Sequence, residues 1–225
     1  MFLKRSTKKE MMDDFSITDK RIDGALAELE LINRLLGGIS VSKAGIGKFY
    51  TPGNSNLNFK ILDAGSGSSE ILLKIREGFK EISICSLDKN QQACHYSKNM
   101  KSLNIICGDI FYLPLKKGYF DIVHASLLMH HFRIDELKEI LGNLLLLVKK
   151  GIVINELRRN IFALAGIKIL TLFFSKSELV KNDAPLSVKK GFVKKELKDI
   201  LATLPAAGYS IKRKWAFRWL VVVFK

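Results

Sequence analysis

Short apolar runs alternate with longer amphipathic stretches between residues 59 and 155. The apolar runs are rich in Ile, Leu and Val and predict buried strands at 59–64, 81–87, 103–107, 119–125 and 151–155. The stretches between them repeat apolar residues at helical spacing and predict helices at 69–77, 91–101 and 135–149. Alternation of this kind is typical of a mostly parallel sheet that is covered by helices on both faces.

The pattern changes on the N-terminal side of this region. Residues 1–16 are polar and predict a frayed end. Residues 17–37 repeat apolar side chains at helical spacing and predict a helix, with Thr18 as its N-cap. The pair Gly37-Gly38 is expected to end that helix.

Residues 51–58 contain Pro, Gly and three Asn and predict a loop. Past residue 156 the pattern predicts an apolar helix over Ile161–Phe174 and a second helix over 194–204. The strands 209–214 and 217–224 predict a closing hairpin. The expected fold class is therefore α/β, with a Rossmann-like, mostly parallel seven-stranded sheet, helices on both faces and a C-terminal antiparallel hairpin.

A glycine-rich turn follows the first predicted strand. It reads Asp63-Ala-Gly65-Ser-Gly67-Ser-Ser69, and a predicted helix follows it. Gly65 and Gly67 allow a tight turn and the close approach of a ligand, and the helix N-terminus offers free N–H groups. Glu70 stands where the dinucleotide fingerprint needs Gly or Ala, and it would repel a pyrophosphate. The turn therefore disfavours a nicotinamide-dependent reductase.

Acidic residues follow the next two strands. Asp88 closes the second strand 21 residues after Gly67, which is where a carboxylate can accept both ribose hydroxyls. Asp109 follows the third strand and can accept from an adenine amino group while Ile110 packs on the ring. Carboxyl ends of parallel strands line ligand crevices, so these residues predict one nucleoside pocket. The alternative is a plain turn with two solvated acids.

Two histidines, His130 and His131, follow the fourth predicted strand. A histidine side chain can accept a proton at neutral pH, so both are candidate general bases. The alternative is that one caps the following helix while the other is exposed at the surface.

Two further residues are candidates for contact with an acceptor. Arg159 follows the fifth strand and opens the apolar helix, where it could hold an acidic oxygen. Asp183 is expected in a Pro-containing loop that could close over the site. The alternative is that the two residues pair with each other or with neighbours and brace this part of the chain.

Chain length, net charge and the cysteines limit the kinds of protein that this chain could be. The chain has 225 residues, which fits one domain, and carries a net charge of +15. Lys outnumbers Arg 28 to 9, which favours a solvated surface over nucleic-acid recognition. The apolar helix is too short to span a membrane but could rest on an anionic bilayer. Three cysteines without C-x-x-C spacing predict reduced thiols, a cytoplasmic protein and no bound metal.

Residues 59–132 resemble a class I S-adenosylmethionine (SAM)-dependent methyltransferase of the branch that includes ubiquinone and menaquinone biosynthesis enzymes. The segments that carry the resemblance are Asp63-x-Gly65-x-Gly67, Ser86-Leu-Asp88-Lys-Asn, Gly108-Asp109-Ile110 through Leu113-Pro114, and Phe120-Asp121-Ile122-Val123. Ser69 departs from the pattern, because many members have a third Gly there.

Outer segments resemble one bacterial subgroup that often accompanies polyketide biosynthesis enzymes. They are Met12-Asp13-Asp14, Leu29-x-x-Ile32-Asn33-x-Leu35, Asn155-Glu156-Leu157-x-Arg159 and Asp183-Ala-Pro-Leu-Ser187-Val188-x-x-x-Phe192. The resemblance implies a small-molecule acceptor that is phenolic, polyketide-like or quinone-like. It leaves the acceptor's identity, the methylated atom and the oligomeric state open.

The resemblance implies SAM as the cofactor and assigns residues to it. The expected cofactor residues are Asp63, Gly65, Gly67, Ser68, Asp88, Lys89, Asp109, Ile110 and Ala125. The chain is expected to form one domain, with an N-terminal helical region (1–58), a SAM-binding core (59–156), a helical insertion or lid (157–208) and closing strands (209–225). The alternatives are an RNA or other nucleic-acid methyltransferase, disfavoured because His124-Ala-Ser-Leu replaces an [DN]-P-P-[FY] segment, and a non-catalytic SAM-binding protein.

Overall fold

The structure is a computed structural model and describes residues 4–17, 19–50, 58–79, 81–101 and 103–225. Within these residues the strands are β1 (Phe59–Ala64), β2 (Ile82–Asp88), β3 (Asn104–Cys107), β4 (Phe120–Ser126), β5 (Val148–Leu157), β6 (Gly208–Lys214) and β7 (Arg218–Phe224). They form one sheet in the order β3-β2-β1-β4-β5-β7-β6. The first five strands are parallel, and β7 runs antiparallel to both β5 and β6. The predicted fold class is confirmed.

Helices cover both faces of this sheet. In the described residues they are α1 (Lys20–Leu35), α2 (Gly38–Ile46), α3 (Glu70–Arg76), α4 (Gln91–Lys101), α5 (Ile134–Leu147), α6 (Ile161–Phe174), α7 (Glu178–Lys190) and α8 (Lys194–Leu201). None of these helices is long and apolar enough to cross a membrane.

Two apolar layers hold the helices against the sheet. Leu137, Leu141 and Leu144 of α5 recur at helical spacing, and all three are buried in the layer that α5 and α8 form with one face. The opposite layer packs α2 and α3 against the other face, with Ile46 and Leu72 buried in it. Each such side chain stabilises the fold by about 1.5–3 kcal/mol. Both faces of the sheet are therefore covered by apolar packing.

The N-terminal helical region differs from the prediction. Helix α1 ends at Leu35, and a second helix, α2, begins at Gly38 where the first was expected to stop. Gly37 takes φ 76°, a left-handed conformation that redirects the chain between the two helices. Asp19 caps α1 by accepting from the Arg21 N–H. The predicted cap Thr18 lies outside the described residues, as does nearly all of the predicted loop, at 51–57.

The expectation of a frayed N-terminus is wrong for residues 4–16. The carboxylate of Asp183 accepts hydrogen bonds from the backbone N–H groups of Met11 and Met12, each at 2.8 Å. Asp183 itself lies inside α7 and not in a loop, because Ser177 caps this helix and Pro185 is accommodated within it. The N-terminal segment 4–17 is thus fixed to α7 by a buried charge.

The chain turns sharply after β1. Gly65 takes φ +63°, and a Cβ at this position would lie 2.4 Å from Leu128 Cδ1. At Gly142, in the interior of α5, such a Cβ would have no described atom within 4 Å other than those of its chain neighbours and its own helix backbone. Substitution by alanine is therefore expected to change the free energy of unfolding in opposite directions at the two glycines.

Gly65→Ala should lower the free energy of unfolding by about 1–3 kcal/mol, because the added methyl group meets Leu128 and the backbone conformation disfavours a side chain. Gly142→Ala should raise it by about 0.5–1 kcal/mol, because alanine is the better helix former. Urea unfolding of both variants measures the effect. An unfolding midpoint for Gly65→Ala at or above that of the unchanged protein would contradict the account of this turn.

Candidate active site

A cavity of about 710 Å³ lies at the carboxyl ends of β1 to β4. Its volume is in the range of small-molecule sites. The predicted residues that line it are Asp63, Gly65, Gly67, Ser68, Asp88, Lys89, Asp109, Ile110, His130 and His131. Three other predicted residues, Ala125, Arg159 and Asp183, are not among the described residues that line it.

Asp88 is held by the glycine turn. The Gly67 N–H donates to Asp88 Oδ2 at 2.8 Å, and the Asn90 N–H donates to Oδ1 at 2.8 Å. Each carboxylate oxygen keeps acceptor capacity for a further donor. Burial raises the pKa of Asp88, although these two hydrogen bonds oppose the shift. The side chain is therefore a fixed acceptor at the centre of the cavity wall.

Asp109 is paired with a lysine beside it. Lys89 Nζ lies 2.8 Å from Asp109 Oδ2, and the Phe111 N–H donates to Oδ1 at 3.1 Å. Burial acts to raise the pKa of Asp109, but the hydrogen bonds and the lysine charge outweigh it and lower the pKa. Asp109 is therefore ionised and oriented at neutral pH.

A network of buried polar side chains, which the sequence did not reveal, holds Asp63 in place. His124 Nδ1 lies 2.7 Å from Asp63 Oδ1, and His124 Nε2 lies 2.8 Å from Ser42 Oγ. The Asn155 side-chain amide donates to Ser42 Oγ at 3.0 Å and accepts from Arg218 at 3.1 Å. Burial lowers the pKa of Arg218 to about 10, although the charge of Glu156 acts in the opposite direction.

Two hydroxyl groups at the cavity have no hydrogen-bond partner among the described residues. The Oγ atoms of Ser66 and Ser126 are buried, and both residues line the cavity. An unsatisfied buried hydroxyl is costly, so these atoms favour a polar ligand between the glycine turn and the end of β4.

His130 is oriented by a buried carboxylate. Its Nδ1 lies 2.8 Å from Glu156 Oε1, and its backbone N–H donates to Glu156 Oε2 at 3.2 Å. Burial acts to raise the pKa of Glu156, but the charge and hydrogen bond of His130 lower it. A histidine that donates from Nδ1 to a carboxylate keeps Nε2 as its acceptor.

His131 has a similar partner from the N-terminal segment. Its Nδ1 lies 2.7 Å from Asp13 Oδ1, and its Nε2 lies 4.0 Å from Glu10 Oε2. Burial acts to lower the pKa of His131, but Asp13 and Glu10 outweigh it and raise the pKa.

Glu10 joins the two histidines to a lysine. Glu10, His130 and His131 place ligand-type atoms within 4.8 Å of one another, a spacing that a metal ion could bridge. However, Lys190 Nζ lies 3.1 Å from Glu10 Oε1 and 3.4 Å from Asp13 Oδ2, so an ammonium group of the chain already pairs with both carboxylates. The absence of a bound metal stays a prediction.

Arg159 is engaged away from the cavity. It donates to the Gly191 carbonyl at 2.9 Å and pairs with Glu196 at 2.7 Å, which ties the end of β5 to α8. Asp183 likewise holds the N-terminal segment. Arg159 and Asp183 therefore brace neighbouring elements and do not line the cavity, which agrees with the alternative that they pair with neighbours.

Sequence reasoning missed several residues that surround the histidines. Glu10, Asp13, Glu156 and Lys190 come from three distant parts of the chain. Asp13 and Glu156 lay within segments that carried the resemblance to the bacterial subgroup, so a signal existed for them. Nothing in the sequence marked Glu10 or Lys190.

Comparison with known proteins defines the class. Residues 61–151 match the family model described as a methyltransferase domain. The match confirms the prediction of a methyltransferase. Similar structures hold SAM or SAH, in agreement with the predicted cofactor. The finer resemblance to the quinone-biosynthesis branch stays a prediction. No protein of curated function matches the sequence.

Solved structures of methyltransferases share the fold. The plantazolicin methyltransferase BpumL, solved with a triazolic desmethylPZN analog and SAH, is 17% identical with a TM-score of 0.70, covering 94% of this chain and 92% of its own. Human N-acetylserotonin methyltransferase with SAM is 14% identical with a TM-score of 0.68, covering 98% of this chain and 60% of its own. PigF with SAH is 18% identical with a TM-score of 0.63, covering 97% of this chain and 63% of its own.

The raised pKa of His131 predicts a pH-dependent contribution to stability. A raised pKa in the folded state stabilises fully below the unfolded value of about 6.5, and the effect is lost as the pH rises through the folded value. Replacing His131 by Gln should therefore lower the free energy of unfolding more at about pH 5.5 than at about pH 9.

Urea unfolding at the two pH values measures this difference. His95→Gln, on the exposed side of α4, gives the background of removing a histidine from the surface. A His131→Gln effect that is equal at both pH values would rule out the pairing with Asp13 as its cause.

Proposed function

We propose that this methyltransferase transfers the methyl group of SAM to a small acceptor that is phenolic, polyketide-like or quinone-like. One observation carries the proposal: a single cavity joins the acids at the carboxyl ends of β1, β2 and β3 to the histidine pair that follows β4. Such a cavity can hold a nucleoside on one side and an acceptor on the other.

The residues at the glycine turn suit the cofactor. Asp88 would accept the ribose hydroxyls, and Asp109 with Ile110 would hold the adenine. Gly65, Gly67 and Ser68 would receive the amino-acid part close to the backbone. The unsatisfied hydroxyls of Ser66 and Ser126 support a polar ligand here, and three carboxylates favour a ligand with a positive charge.

Three further predicted cofactor residues would contribute by facing the ligand, by orienting another side chain or by leaving room for the glycine turn. Asp63 lines the cavity and would face the cationic part, held there by His124. Lys89 would orient Asp109. Ala125 is buried in β4, where a small side chain leaves room for the neighbouring turn.

The acceptor side is apolar. Side chains of α1, α6 and the segment after β4 line it, among them Ile22, Leu26, Leu29, Ile32, Phe132, Phe162, Ile167 and Leu170. This lining supports a lipophilic acceptor over a nucleic acid. Similar structures include a plantazolicin methyltransferase and an N-acetylserotonin methyltransferase, which also supports an acceptor other than a nucleic acid.

Bound SAM supplies an already activated methyl group. The chain then has to orient the acceptor and exclude water, and orientation of this kind supplies about 7–11 kcal/mol. His130 or His131 would accept the acceptor's proton at Nε2, while Glu156 and Asp13 hold the opposite ring nitrogen. Arg159 and Asp183 would be positioning residues that keep α8 and the N-terminal segment in place.

Asp88→Asn should weaken the binding of S-adenosylhomocysteine by about 10- to 100-fold, because an amide offers one acceptor oxygen and no charge to the ribose hydroxyls. Isothermal titration calorimetry measures the affinity. Asp121→Asn is the matched control, because Asp121 also accepts a backbone N–H, from Lys60 at 2.8 Å, and does not line the cavity. Unchanged affinity in Asp88→Asn would defeat the ribose assignment.

His130→Gln should lower kcat by about 10²–10⁴-fold if His130 is the general base, while S-adenosylhomocysteine binding changes little. Transfer of a labelled methyl group to a panel of phenols and quinols measures turnover, and unstructured RNA in the same panel tests the nucleic-acid alternative.

His131→Gln and the exposed-site variant His95→Gln complete the set. We expect His95→Gln to keep the turnover of the unchanged protein. Full turnover in both His130→Gln and His131→Gln would remove the pair from the mechanism, and methyl transfer to RNA alone would replace the proposed acceptor class.

A further inference from the structure

Helix α6 is apolar except for Lys168 and Thr171, but the described residues cover only about half of its surface. Leu164, Ile167 and Thr171 are 7%, 8% and 2% exposed and face the rest of the protein. The opposite side carries the largest group of exposed apolar side chains on one described helix: Ile161, Phe162, Ile169, Leu172, Phe173 and Phe174, between 53% and 80% exposed. A helix that is apolar on nearly every side is normally buried, but the exposed side of α6 has no partner among the described residues.

The exposed face of α6 continues to the mouth of the cavity. Phe162 lines the cavity although it is 72% exposed, and Trp215, in the turn between β6 and β7, lines it at 73%. Phe15 of the N-terminal segment lines it at 45%. The entrance therefore carries aromatic side chains from three parts of the chain.

Charge decides between the possible partners. The chain carries +15, and Lys168 is the one charged residue of α6 and lies on its exposed side. Lys176 follows the helix directly and is also exposed. A second copy of the chain would bring the same positive charge to the interface, whereas an anionic surface is attracted to it.

We propose that α6 docks the protein on the surface of an anionic lipid bilayer. With 14 residues the helix is too short to cross the hydrocarbon and would lie in the interface, with its phenylalanines inserted and Lys168 extended to the headgroups. Trp215 would sit at the same level, where indole rings are favoured. The cavity mouth would then face the bilayer, so a lipophilic acceptor could enter without crossing water.

This last step rests on the proposed function, but docking itself does not. Docking is tested with the full chain in the absence of cofactor and acceptor, so a failure of docking can be distinguished from a failure of methyl transfer. The probes are extruded vesicles of phosphatidylcholine alone and of phosphatidylcholine with phosphatidylglycerol.

Co-sedimentation should show binding to the vesicles that contain phosphatidylglycerol and at least about tenfold weaker binding to phosphatidylcholine alone, because each basic residue near an anionic surface adds attraction. Phe173→Ser/Phe174→Ser should weaken binding to the anionic vesicles by about tenfold or more, since two large apolar side chains no longer insert. Both residues are more than 70% exposed, so the fold is expected to survive.

Two single leucine variants separate an effect of α6 from the general effect of losing an exposed leucine. Leu172→Ser, on α6 and 69% exposed, should weaken vesicle binding, and Leu146→Ser, on α5 and 45% exposed, should not. Tryptophan fluorescence gives a second signal, because Trp215 is exposed while Trp219, the other tryptophan, is 2% exposed. Anionic vesicles should shift the emission to shorter wavelength, and Trp215→Phe should abolish the shift.

Three results would overturn the proposal. They are the absence of binding to anionic vesicles, equal binding by the Phe173→Ser/Phe174→Ser variant, and equal binding to both kinds of vesicle. Sedimentation velocity tests whether a second copy of the chain binds this face instead. A dimer that the Phe173→Ser/Phe174→Ser variant dissociates would assign the face to that second copy.

Discussion

The site depends on carboxylates that lie, buried or partly buried, where the parallel strands end. Asp63, Asp88 and Asp109 meet at this edge because β1, β2 and β3 run in the same direction. A buried carboxylate is tolerated only when hydrogen bonds or opposite charges compensate its lost hydration. The protein provides this compensation from its own backbone at Asp88, from a lysine at Asp109 and from a histidine at Asp63. The acids are thereby fixed without their acceptor capacity being used up.

The same requirement organises the opposite wall of the cavity. Glu156 at the end of β5 must be compensated, and His130 does so from the segment after β4. Glu10 and Asp13 bring further negative charge from the N-terminal segment, and Lys190 of α7 compensates it. The N-terminal segment is consequently part of the cavity wall, although its composition is that of a solvated tail.

Local signals explain what could be predicted. The turn at Gly65 and Gly67 and the acids at strand ends follow from short-range chemistry, because a tight turn needs glycine and a strand end needs no distant partner. Helix α7 was missed because Pro185 stands inside it, and proline normally marks a loop or a helix end. The error moved Asp183 from a helix into a loop, and its two backbone partners, Met11 and Met12, are over 170 residues away.

The sequence by itself determined the α/β alternation, the glycine turn with its acids, and the apolar helix over Ile161–Phe174. These features depend on periodicity and on conformations that only certain residues adopt. Only the tertiary structure decided which polar groups pair: His124 with Asp63, His130 with Glu156, and Arg159 with Glu196 away from the cavity. Pairing depends on distances between residues far apart in the chain, and a charge in a sequence does not specify which partner will compensate it.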